Sequence, residues 1–130
     1  MHSLATQLFE AGIAPEGVNT VPCITDDGRG GAYTGWHIYH LKQTRWDPEH
    51  DWNDAAYYIK HCGLRIMPVT WITHPQYAWF ISVAAATLCR EFYERTTTFA
   101  EVPAAICRLV LRLHQAGIRP EDLTGIATWA

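Results

Sequence analysis

Apolar residues recur at helical spacing near the start of the chain, at Leu4, Ala5, Leu8 and Phe9. Gly12-Ile13 and then Pro15 follow, which supply a residue tolerant of positive φ, an apolar contact beyond the cap and a helix breaker. This predicts a short helix over about 3–11. The same punctuation returns at Leu113, Ala116-Gly117-Ile118 and Pro120-Glu121. The intervening halves do not match, so these read as two independent Schellman-type stops rather than a duplication.

Between them the period shortens. Residues 19–25 and 32–41 are β-prone runs separated by Asp26-Asp27-Gly28-Arg29-Gly30-Gly31, a hairpin loop whose glycines permit positive φ, so they are expected as antiparallel neighbours. A helix follows: Asp51 can cap it, Asp54 stands at N3, Gly63 supplies C′, and Trp52, Ala55, Ala56, Ile59 and Cys62 are read on one face. Residues 64–73 read as a strand, at an edge or bulge because Pro68 removes a ladder donor. His74-Pro75-Gln76 makes a turn into another strand over 77–83. Residues 84–97 read as a helix through Ala85, Leu88, Cys89 and Phe92, although 89–97 also tolerates an extended form. The last helix is placed from Pro103, suited to N1, through Ile106, Leu109, Val110 and Leu113 to Ala116. A Thr98/Glu101 capping box would start it earlier, but would put Pro103 where its missing N–H costs a bond.

This alternation predicts an α+β layered sandwich: one mainly antiparallel sheet of about four strands packed with three to four helices, in a single domain over 1–130. The length suffices for a core without staples, and 48% hydrophobic against 18% charged residues argues against disorder. A net charge of −3, with Lys42, Arg45, Arg65, Arg90 and Arg108 scattered, leaves no footprint for duplex nucleic acid. Cys23, Cys62, Cys89 and Cys107 form no CxxC pair and sit in apolar stretches, as reduced core thiols do. Neither a secretory leader nor a run of about 18 apolar residues is evident, so the expected location is the cytosol, with no membrane partner.

Trp46-Asp47-Pro48-Glu49-His50-Asp51-Trp52 with Ala55, then Trp71, then Pro103-Ala104-Ala105-Ile106-Cys107-Arg108 form an order of motifs. It resembles the small phage and prophage proteins of the phage ABA sandwich domain type, a family of unknown function. In that family a Trp-x-Pro-Ser-Thr-Asp-like segment opens a helix, a Trp follows on a strand, and a Pro-x-Ala-Ile-Cys-Arg-Ala segment opens a final helix. Here Glu49-His50 replace the small polar pair and Leu109 stands where Ala is usual. The resemblance covers about residues 46–114. It implies an α/β/α sandwich and a viral or prophage origin in a host cytosol, and supplies no activity, cofactor or catalytic residue.

The chemistry of the residues points away from catalysis. His37 and His40 are the closest useful histidine pair, but an offset of three on a strand puts them on opposite faces, which argues against zinc. Asp47, Glu49, His50, Asp51 and Asp54 are one dense acid–histidine cluster that could serve a metal-dependent hydrolase. Helix N-termini, however, attract such residues through capping and the dipole. Gly28-Arg29-Gly30-Gly31 lacks the Lys-Ser/Thr of a phosphate loop, and no GxSxG or HExxH occurs. No nucleophile is nominated and no cofactor is expected.

Aromatic content stands out: six Trp, six Tyr and four Phe. Trp36, Tyr39, Trp46, Tyr57, Tyr58 and Trp79, with Arg29, Arg45 and Arg65, are the candidate binding residues, because Trp, Tyr and Arg dominate interfaces and base-stacking pockets. The leading expectation is a non-catalytic phage accessory protein that binds a host protein, as a counter-defence inhibitor. Sequestration of a small nucleotide-like signal by these rings and arginines is one alternative. A structural or assembly role, as a homo-oligomer, is another.

Overall fold

A computed structural model describes residues 3–24, 27–36, 44–68, 79–85 and 90–118. The chain divides into two compact units, Met1–Asp47 and Pro48–Ala130.

In the first unit α1 spans Leu4–Glu10, with the Ser3 hydroxyl accepting from the Thr6 N–H at 3.2 Å. Gly12 takes φ 77°, its N–H donates to the Phe9 carbonyl, and that of Ile13 donates to Leu8. This is the Schellman stop expected from the sequence. Strands β1 (Val18–Ile24) and β2 (Gly30–Trp36) pair antiparallel, Val18 opposite Trp36 and Ile24 opposite Gly30. A two-residue β3 (Thr44–Arg45) joins the far side of β2. Ala5, Leu8, Val18, Val21 and Trp46 are buried.

In the second unit α2 covers Trp52–Cys62, with the Asp51 carboxylate accepting from the Asn53 N–H at 2.8 Å and Gly63 at φ 65° ending it, as the sequence foretold. The buried stripe differs from expectation. Tyr58 joins Ala55 and Cys62 in the core, while Ala56 is exposed, because the packing face follows the i, i+3, i+7 row through Tyr58. Strands β4 (Arg65–Pro68), β5 (Trp79–Ala85) and β6 (Arg90–Thr96) form an antiparallel sheet in that order. Pro68 ends an edge strand. A 3₁₀ turn, Phe99–Glu101, leads into α3, Val102–Gln115, with Pro103 in its first turn. Gly117 and Ile118 repeat the stop of α1, donating to His114 and Leu113.

The architecture is therefore α+β, but a single four-stranded sheet is not what forms. The described residues make two separate three-stranded antiparallel sheets and three α-helices. The difference traces to two segments. Thr44 and Arg45 add a third strand to the first hairpin, and residues 90–96, read above as part of a helix, are β6. There Phe92 and Thr96 are buried with Glu94 half-buried, while Tyr93 and Arg95 are exposed: a period of two, not 3.6.

The core of the second unit lies between α3 and one face of this sheet. Ile81, Val83 and Phe92 are buried there, as are Ile106, Leu109, Val110 and Leu113 of α3. Glu94 points to the same side and meets Arg108 at 3.8 Å and Arg112 at 3.6 Å. Arg112 also donates to the Tyr93 carbonyl at 2.8 Å, tying the helix to the strand. No helix among the described residues is long and apolar enough to cross a membrane.

Candidate functional site: the outer face of the second sheet

Because side chains alternate along a strand, packing one face of β4–β5–β6 on α3 turns the other outward. The register sets two rows across that outer face. Met67 pairs with Phe80 and Phe80 with Arg95; Arg65 pairs with Ser82 and Ser82 with Tyr93. Ser82, small and flanked by two long side chains, is 3% exposed, whereas Met67 and Tyr93 are 44% and 42% exposed. Phe80 and Tyr93 stack with ring centroids 5.3 Å apart and planes inclined by 26°. The Arg95 guanidinium carbon lies 5.0 Å from the centre of the Tyr93 ring, a cation–π contact. Arg65 and Arg95 are the arginines described on this face.

A second aromatic group stands at the start of α2. Trp52 stacks on Phe99 at 4.6 Å, and Trp79 meets Phe99 edge-on at 5.0 Å. Phe99 is 52% exposed. Phe99 thus packs against both tryptophans, one on its face and one edge-on.

The residues singled out from the sequence are dispersed. Arg29 is exposed in the first hairpin loop and pairs with Asp27 at 3.6 Å. Arg45 is exposed on β3, and Trp36, half-buried, closes β2. Tyr39, His37 and His40 lie outside the described residues. Trp46 is fully buried, and its indole Nε1 has no hydrogen-bond partner among the described residues. Tyr58 is likewise core, its hydroxyl pushed well above the ordinary range chiefly by burial and then by the nearby Cys107. Those two rings cannot meet a partner from where they sit. Half-buried Tyr57 packs edge-on against Tyr58 at 5.1 Å and stacks on His61 at 5.0 Å; burial raises its pKa as well. Arg65 and Trp79 occupy opposite faces of the second sheet, since Arg65 aligns with Ser82 and Trp79 with Pro68.

Among the described residues of the expected set, only Arg65 lies on the outer face. Met67, Phe80, Tyr93, Arg95 and the separate Phe99 were missed. The alternation Phe80-Ile81-Ser82-Val83 and Phe92-Tyr93-Glu94-Arg95 could have found three of them, had 90–96 been taken as a strand.

Asp47, Glu49 and His50 each offer an atom within 4.8 Å of the others, over four consecutive chain positions leading into α2. Asp51 caps that helix. The other strongly shifted group, Cys62, has its thiol raised to about 11 by burial, which suits packing rather than nucleophilic attack. Cys62 and Cys107 are buried and Cys23 half-buried; Cys89 is outside the described residues.

No family model, curated protein or solved structure matches this chain.

Proposed function

We propose that this chain is a non-catalytic binding protein whose partner seats on the outer face of β4–β5–β6. The observation that carries the reading is the column Phe80–Tyr93–Arg95, held together by stacking and cation–π contact beside the exposed Met67. Tyr and Arg are the residue types that concentrate binding energy, and a prearranged column loses little rotamer freedom when a partner arrives. The face is also backed by a buried core, and Arg112 donates to the Tyr93 carbonyl from α3. The phage-type resemblance supplies the setting: an accessory protein acting on a component of its host, in a counter-defence role.

The test is retention of a defined mass from host lysate by immobilised protein, read by native mass spectrometry of the eluted complex. Wild type is expected to keep a stoichiometric partner. Tyr93→Ser and Met67→Ser, both at exposed positions and so expected to leave the fold intact, should each release it. Equal retention by Tyr93→Ser, with an unchanged circular dichroism spectrum, would remove this face from consideration.

A further inference from the structure

We draw no further inference here: the strongest candidate, the surface patch of Met67, Phe80 and Tyr93 on the outer face of β4–β5–β6, belongs to the site already described, and nothing in the structure shows what covers it.

Discussion

Gly35 stands where any side chain would collide. A Cβ built there would lie 2.8 Å from Tyr33 Cε2, 3.0 Å from the Thr44 carbonyl oxygen and 3.0 Å from Val21 Cγ2. Backbone and a buried valine cannot both retreat, so Gly35→Ala is expected to cost about 1–3 kcal/mol, read as a lowered denaturation midpoint with an unchanged slope. Cys62 gives a chemical counterpart. Its folded thiol ionises near 11 against 9 when unfolded, so burial stabilises the fold below pH 9, and this is lost as pH rises through the folded value. In native protein at pH 8, iodoacetamide should modify half-buried Cys23 well before Cys62, and denaturant should abolish the difference, as peptide mass mapping will report. Glu101 works in the opposite sense. The Thr97 hydroxyl, then that of Thr98, donates to its carboxylate at 2.7 and 2.8 Å and holds its pKa below the ordinary value. Its contribution is present above the ordinary glutamate range and lost as pH falls through the folded value. Glu101→Gln should therefore flatten the acid limb of a plot of melting temperature against pH.

Among the elements, helix ends were the most legible, because caps are local chemistry. Asp51 and Gly63 around α2, and the paired Gly-Ile stops of α1 and α3, stand where side-chain type alone put them. Asp51→Ala should destabilise by about 0.5–2 kcal/mol, while Asp51→Ser, which can still accept from the Asn53 N–H, should recover most of the loss in thermal melts. The start of α3 satisfied two competing signals in turn: Thr98 precedes a 3₁₀ turn, and Pro103 then sits in the first turn of the α-helix. Residues 84–97 were misread because Ala85, Leu88, Cys89 and Phe92 also fit a period of 3.6. What decides for a strand over 90–96 is long-range pairing of Arg95 with Phe80 and Tyr93 with Ser82, which no local window contains. The candidate site went with it, since Tyr93 and Arg95 have no shared face until that segment is extended.

At the scale of the whole molecule, aromatic abundance alone did not distinguish surface from core. Trp46 and Tyr58 fill interior space, and Trp79 lies on the sheet face away from Arg65. Burial depends on which faces pack, and that is a property of tertiary arrangement rather than of residue type. Pro68 has a further effect at this scale. Among the described residues the second sheet ends in β4 on one side and β6 on the other, and only β4 is both short and closed by a proline. A stray strand from a neighbouring molecule finds fewer outward main-chain donors along four-residue β4 than along seven-residue β6, where alternate N–H groups face away from β5. In concentrated solution, self-association by strand addition would begin at β6. A proline placed on that strand's outer edge, where no ladder bond is lost, is the change that would lengthen the protein's shelf life.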